Sequence, residues 1–401
     1  MAPERITPNR IADILPREGR VWLGLCSGET ALLREGLIGR TLPGLTFTGI
    51  VVPGLNRLDH VLATGARVTT FFMTPELAGA GAQLDFRPLP YFGIQAYLQD
   101  NPPDAAILML SPPDADGLCS FGTVTDFIAD LWPRIPTIIA HINPRMPRTS
   151  GTPGIPFERL SAVIEAPQEL PEADPGLDEV SERFAAYAAT LVPNGATVQA
   201  GIGRAPEAVL RGLTGKRDLA IHSGLIGDSA IDLLESGALR DVHPITAGVA
   251  IGTRRLYDAV SGAGFRFRPP SFTHDVSTHG MIERLITINS AISVDLDGQV
   301  YAEATPKGLV SGPGGASDFA AGARGAGLRI IVLPSSTAHS SRIVAPGAGD
   351  GPVSLGRFDT DLIVTEHGIA DLRGKGPEAR RAAMCAIAAP AYRKDLEPQI
   401  A

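Results

Sequence analysis

Thr197-Val-Gln-Ala-Gly-Ile-Gly-Arg-Ala-Pro-Glu207 reads as a short apolar strand, a glycine turn and the opening of a helix. The β-prone run Thr197 to Ala200 stops at Gly201, and Pro206 stands where a first helical turn loses nothing by a missing N–H. Glycines here permit a tight turn and a close backbone approach. Exposed N–H groups at a helix start can hold phosphate or carboxylate. Taken alone, Gly-x-Gly after a strand is more often only a turn. The third glycine of the dinucleotide fingerprint is missing and no acidic residue closes the next strand, so a nicotinamide cofactor is not expected.

The same strand-then-helix unit recurs on both sides. In the first half, expected strands are Val21 to Cys26, Leu45 to Val52, Val68 to Phe72, Ala105 to Leu110 and Thr137 to His141. In the second half they are Thr197 to Ala200, Leu219 to His222, Leu285 to Ile288, Ile330 to Leu333 and Leu362 to Thr365. Helical stretches such as Pro206 to Leu213 and Ser229 to Glu235 lie between them. This alternation predicts α/β architecture with mostly parallel sheets. Residues 166–178 hold three Pro, one Gly and four acidic residues, which suits a linker rather than a sheet interior. The expected domains are therefore 1–176 and 177–401, the second opening with a helix over Glu179 to Thr190.

Composition narrows the function classes. The chain has 401 residues, 44% hydrophobic and 19% charged, which fits a soluble globular protein of about two or three domains. The net charge of −8 and the 5% aromatic share argue against a nucleic-acid binder. Residues 1–180 carry 13 Arg and no Lys against 21 acidic residues, whereas the remainder is neutral and holds all four Lys. An anionic ligand would meet the second half more comfortably. Cys26, Cys119 and Cys385 give neither a disulfide framework nor a metal-ligand spacing, so no metal is expected. With no apolar leader and no run of 18 apolar residues, no membrane span is expected, and a reducing cytoplasm fits best.

Three further segments carry candidate chemistry. Ser111-Pro-Pro-Asp-Ala-Asp-Gly-Leu-Cys-Ser-Phe-Gly122 follows an apolar strand, at the end where α/β ligands sit. Cys119 within it has no visible base and reads as structural. Ser311-Gly-Pro-Gly-Gly-Ala-Ser-Asp-Phe319 strips side chains from a loop before a helix over Phe319 to Arg324, and such a loop can aim N–H groups at an oxyanion. Asp218-Leu-Ala-Ile-His-Ser-Gly-Leu-Ile-Gly-Asp228 brings a strand to His222-Ser223-Gly224, where His222 could serve as acid or base. No spacing reads as a hydrolase triad.

Together these segments resemble the acetyl-CoA hydrolase/transferase family, near the 4-hydroxybutyrate CoA-transferases among class I CoA-transferases. The resemblance adds Asn143-Pro-Arg-Met-Pro-Arg148, Gly252-Thr-Arg-Arg-Leu-Tyr257, Ile288-Asn-Ser-Ala-Ile292 and Thr365-Glu-His-Gly-Ile-Ala-Asp-Leu372, in family order along nearly the whole chain. It implies two similar open-sheet α/β domains with the active site in the cleft between them. It also implies coenzyme A or acyl-CoA as substrate rather than a tightly bound cofactor, a small carboxylate as second substrate, and a homodimer or higher homo-oligomer. The CoA-contacting residues would be Gly201, Ile202, Gly203, Arg204 and Ala205, with Asn289, Gly314 and Gly315.

One departure matters. Family transferases use a glutamate nucleophile in a His-Thr-Glu or Tyr-Thr-Glu segment; here that segment is His222-Ser223-Gly224. Gly224 has no side chain, so a glutamyl relay cannot run from it. Removing the carboxylate leaves room for a water, which would need a base. His222, Glu303 and Glu366 are the expected candidates, although both glutamates match acidic positions where a scaffold role is the plainer reading. Near Pro334-Ser-Ser-Thr-Ala-His339, where many relatives hold a lysine, the local cations are His339 and Arg342. Hydrolysis, direct transfer and non-enzymatic CoA-ester binding all remain open on this reading.

Overall fold

The computed structural model of the chain describes residues 2–174, 176–325 and 327–399. The first of two compact units runs to Ala173 and takes up Thr246–Thr273 as well; the second holds Asp174–Ile245 and the chain from His274 onward.

The first unit is built on eight parallel strands. Their order is Glu4–Arg5, Ala162–Glu165, Thr137–Ile142, Ala105–Leu110, Gly19–Leu23, Leu45–Thr48, Arg67–Thr70 and Leu84–Phe86. Every residue of Ala105–Leu110 is buried, as a central parallel strand covered on both faces requires. Arg148 fastens the Ser111–Gly122 loop: its guanidinium donates to the carbonyls of Pro112 (2.8 Å) and Leu118 (2.7 Å) and to the Asp114 carboxylate (2.9 Å). Two of the segments singled out in the sequence are thus halves of one polar staple.

The second unit centres on Ala220–Ile226, Thr197–Ala200, Leu285–Ser290, Leu328–Val332 and Leu362–Thr365, all parallel, with Gly368–Asp371 returning antiparallel at the edge. Helix Glu179–Leu191 buries Ser181, Phe184, Ala185 and Ala188, the single stripe of an amphipathic helix. Val294, Leu296, Ile331, Leu333, Ile363 and Met384 form a continuous apolar core that includes residues of the sheet itself.

Ala105–Leu110, Thr197–Ala200 and Leu362–Thr365 have the bounds the sequence indicates, and Ser229–Glu235 is helical as expected. Three differences stand out. The strand expected to end at His222 continues to Ile226, so Gly224 lies inside it. The helix expected over Phe319 to Arg324 begins earlier, at Ala316, and ends at Gly322. The expected division at 176/177 also needs correction, because Thr246–Thr273 belongs to the first unit. The cause is backbone pairing. Thr125 N–H donates to Gly248 (2.9 Å), Ala250 N–H to Thr123 (2.9 Å) and Phe267 N–H to Ser150 (2.7 Å). Ser27 Oγ binds the Ala250 carbonyl at 2.7 Å, and Tyr257 Oη binds that of Pro171 at 2.7 Å. Composition marks a linker, but it carries no record of these distant partners.

Both sheets reverse their order of strand addition. In the first unit the chain builds outward from Gly19–Leu23 on one side, then places Ala105–Leu110 on the other. In the second, Thr197–Ala200 receives Ala220–Ile226 on one side and Leu285–Ser290 on the other. Beyond the carboxyl ends of strands at such a reversal, the flanking loops part and leave a crevice.

Asp178 closes the N-terminus of Glu179–Leu191 with a capping box. Its carboxylate accepts the Ser181 N–H at 2.8 Å, while its own N–H donates to Ser181 Oγ at 2.9 Å. The same carboxylate pairs with Arg204. Asp178→Ala should lower the unit's unfolding free energy by about 1 kcal/mol, the usual worth of an N-cap. Urea denaturation of the variant against wild type measures it.

Candidate active site

The reversal in the second sheet places Gly201 beside Asn289. Gly201 N–H donates to the Ile288 carbonyl at 2.8 Å, and a Cβ on Gly201 would lie 2.7 Å from Asn289 Oδ1. Only glycine lets the turn pass that amide. Asn289 is held in turn by Gln199 through two reciprocal amide hydrogen bonds of 3.1 and 3.2 Å, both buried. Gly203 then takes φ +113°, a conformation an L side chain resists, and opens the helix Arg204–Arg211. Ile202, Gly203 and Arg204 are exposed at the turn, whereas Ala205 is buried beneath it.

From this turn a chain of contacts runs across the strand ends. Ser223, fully buried, donates its hydroxyl to the Ala200 carbonyl at 2.9 Å, tying Ala220–Ile226 to the residue before Gly201. Beside it, Gly224 meets His274: a Cβ on Gly224 would lie 2.6 Å from Nε2 and closer still to Cε1. The imidazole therefore occupies the volume that a side chain at 224 would enter. His274 in turn packs on Phe319, with ring centroids 4.9 Å apart, and His279 stacks on the same ring at 4.5 Å. His222 meets His279 edge-on at 5.3 Å. Phe319 N–H donates to the Gly315 carbonyl at 3.1 Å, and Gly314 has φ +60°. The glycine loop, the His222 segment and the Gly201 turn are thus linked through contacts that begin at Asn289 and end at Gly315.

Sequence reasoning missed His274 and His279. Asp275 caps the short helix Val276–Gly280, which carries His279, accepting the Thr278 N–H at 2.7 Å, and Gly322 leaves room for His279. Two histidines five apart, in a chain holding only eight, were the available signal. Among the described residues, no group of three or more His, Cys, Asp or Glu side chains is arranged to hold a metal ion.

The two candidate glutamates are each held by a serine. Glu303 is buried and accepts Ser354 Oγ at 2.8 Å; burial raises its pKa, with the Ser354 bond opposing. Glu366 accepts both the N–H (2.9 Å) and the hydroxyl (2.6 Å) of Ser335. Arg342 lies near Glu366; burial lowers its pKa against that carboxylate's opposing pull, and His339 is exposed. Burial pushes the Cys119 thiol up to about 11, which leaves it protonated and a poor nucleophile near neutrality.

Burial, reinforced by His279 and then His222, holds the His274 pKa well below 6.5. The native ring is therefore neutral at pH 7. Its unfolded counterpart takes up a proton near pH 6.5, so stability present above that pH falls as pH drops toward the depressed native pKa. Single-group linkage limits the slope to about 1.4 kcal/mol per pH unit. His60, lowered to about 4 mainly by burial, acts in the same direction. Urea titrations from about pH 7.5 to about pH 5 should give a shallower decline in His274→Gln than in wild type.

The C-terminal domain family of acetyl-CoA hydrolases/transferases matches residues 252–400. The 4-hydroxybutyrate coenzyme A transferase of Clostridium kluyveri is 32% identical over 329 residues, 78% of this chain and 76% of that protein. Among solved structures, RipA from Yersinia pestis superposes with a TM-score of 0.90 at 24% identity, covering 99% of this chain and 96% of its own. A 4-hydroxybutyrate CoA-transferase from Porphyromonas gingivalis gives 0.81 at 25% identity, covering 99% and 97%. The two open parallel sheets, the ordered motifs and this identity along three quarters of both chains lead to one assignment: the chain belongs to the acetyl-CoA hydrolase/transferase family.

Proposed function

We propose that this protein acts on a short-chain acyl-CoA, either transferring CoA to a small carboxylate or hydrolysing the thioester, by direct attack of the acceptor and with no glutamyl relay at position 224. Family membership supports an acyl-CoA substrate and a carboxylate or water as acceptor. The relatives named above include coenzyme A transferases. The absence of a relay rests on one observation: Gly224 has no side chain, and the His274 ring fills the space beside it.

The chemistry follows from that missing carboxylate. In a relay, an enzyme carboxylate attacks the thioester carbonyl and later carries CoA as its own thioester. Without it, the acceptor oxygen attacks the thioester carbonyl itself and the carbon–sulfur bond breaks; water then gives the acid and free CoA, whereas a carboxylate gives a mixed anhydride whose acceptor carbonyl the bound CoA thiolate attacks, releasing the donor carboxylate. Both substrates then have to be bound at once. The turn Gly201, Ile202, Gly203, Arg204 and Ala205, together with Asn289, is our candidate for holding CoA. Backbone N–H groups of the Gly314–Gly315 loop are our candidate for steadying the developing oxyanion.

Initial rates over a grid of acyl-CoA and acceptor concentrations test the reading. Intersecting lines are expected, and protein quenched during turnover with hydroxylamine or borohydride should carry no modified carboxylate. Parallel lines with a trapped glutamyl thioester would overturn it. CoA-dependent thermal stabilisation without turnover of any acyl-CoA would instead mark a non-enzymatic CoA-ester binding protein.

A further inference from the structure

We propose that Arg342 and Ser293 form the subsite that takes the carboxylate of the acid substrate, at the carboxyl ends of the central strands of the second sheet. This deepens the reading above and rests on it. It commits to a small carboxylate, not water, as the acceptor.

Three observations carry it. The first is a cation without a counter-ion. Arg342 is half-buried, yet among the described residues its guanidinium has no hydrogen bond and no ion pair, and its Nε is shut from solvent. Taking a charge out of water is costly unless an opposite charge receives it. The charge that acts on Arg342 is Glu366, but the two form no ion pair, and both Glu366 oxygens are taken by the N–H and hydroxyl of Ser335. The second is the neighbour. Strands Ser293–Asp295 and Ile343–Val344 run parallel with Val294 opposite Ile343, so Ser293 stands opposite Arg342 one residue earlier. The Val294 N–H donates to the Arg342 carbonyl at 2.8 Å. Val294 and Ile343 belong to the apolar core. Ser293 and Arg342 therefore share the other face, on backbones about 4.8 Å apart as in any sheet. Ser293 Oγ is buried and has no partner among the described residues. Asp295 faces the same way, but its carboxylate is committed to the N–H groups of Asp297 (3.0 Å), Gln299 (2.9 Å) and Gly347 (2.9 Å). The third is location. The Arg342 N–H donates to the Ser335 carbonyl at 2.8 Å. Ser335 follows strand Leu328–Val332, Glu366 follows Leu362–Thr365, and Ser293 follows Leu285–Ser290, the strand that carries Asn289. These strands are adjacent and parallel, so the pair sits where ligands of open α/β sheets bind.

The donor set selects its ligand. A guanidinium offers paired N–H groups that match the two oxygens of a carboxylate, and the Ser293 hydroxyl adds a third donor. Burial lowers the Arg342 pKa, but a guanidinium stays protonated near neutrality, so the subsite keeps its charge. One guanidinium balances one negative charge. A phosphate dianion would bring a second, close enough to Glu366 to be repelled by it. Water carries no charge for Arg342 to hold, so the pair favours transfer over hydrolysis.

The test measures transfer from acetyl-CoA and butyryl-CoA to acetate, butyrate and succinate, beside CoA affinity by calorimetry. Wild type should transfer CoA to at least one of these acids. For the acid it uses best, Arg342→Gln should raise KM about 10-fold or more, the worth of a lost charge-assisted hydrogen bond. The kcat at saturating acid should fall less, and CoA should bind as it does to wild type. Arg342→Lys should recover part of the lost acid affinity, and Ser293→Ala should raise the same KM by a smaller factor. If Arg342→Gln does not fold, these two variants carry the test, each with a KM for the acid above that of wild type. A KM for the acid left unchanged by the substitutions would overturn this inference alone. So would weakened CoA binding at an unchanged acid KM, which marks a phosphate of CoA as the anion, and so would a joint loss of thermal stability, CoA affinity and acid affinity, which marks a structural arginine. A wild type that hydrolyses acyl-CoA but transfers to none of the acids would also overturn it, and the direct-attack reading would survive. A wild type that processes no acyl-CoA at all would remove both.

Discussion

The contact between Gly224 and His274 is the constraint on which the site depends. A side chain at 224 and the imidazole at 274 compete for one volume; the sequence has given it to the imidazole. The choice propagates. His274 can rest on Phe319 only because the helix Ala316–Gly322 starts where the glycine loop ends, and His279 can stack on the same ring only because Gly322 has no side chain. A buried aromatic thus organises two imidazoles around a backbone turn, in a protein interior that leaves few voids to absorb a misfit.

Parallel-sheet topology explains why these groups meet at all. Strands that enter a sheet on opposite sides of a predecessor leave their following loops diverging at its carboxyl end. In the second unit those loops are Gly201–Gly203 and the segment after Asn289, and Ser223 binds the neighbouring strand end through the Ala200 carbonyl. The residues expected to contact CoA in this unit therefore lie on loops, strand ends or the opening turn of the helix Arg204–Arg211, although the scaffold is made of buried Val, Ile and Ala. The first unit has the same reversal at Gly19–Leu23. There the loop is Leu25–Thr30, and Asn56 binds both the N–H and the carbonyl of Cys26, which stands at φ +54°. Two sheets of one design have put glycine at one reversal and a clamped non-glycine residue at the other.

What the sequence made legible follows the range of the interactions. Apolar runs bounded by turns located most strands to within a few residues, because a buried parallel strand is a local, nearly continuous hydrophobic signal. Gly201, Asn289, Gly314 and Gly315 were recognisable through motif order, and Gly201 and Asn289 do meet. The return of Thr246–Thr273 to the first unit was not legible, since it is written in backbone hydrogen bonds to Thr123, Thr125 and Ser150. Nor was His274, fifty residues from Gly224, whose significance exists only in their shared volume. The strand's continuation through Ser223 and Gly224 was hidden for a related reason: small polar residues there are weak β-formers, and pairing within the sheet overrides that preference.

The two candidate glutamates show what local hydrogen bonding makes of a buried or half-buried carboxylate. A carboxylate can take a proton from water only if its oxygens are free to turn toward that water. Glu366 already accepts two donors from Ser335, one on each oxygen, and Glu303 accepts one from Ser354. These bonds fix the orientation of each carboxylate, which is what a scaffold requires. The carbonyl of Glu303 also receives the N–H groups of Val310 (2.8 Å) and Ser311 (3.2 Å), so that this residue ties down the start of the glycine loop. Its backbone therefore fixes the start of the loop that carries Gly314 and Gly315.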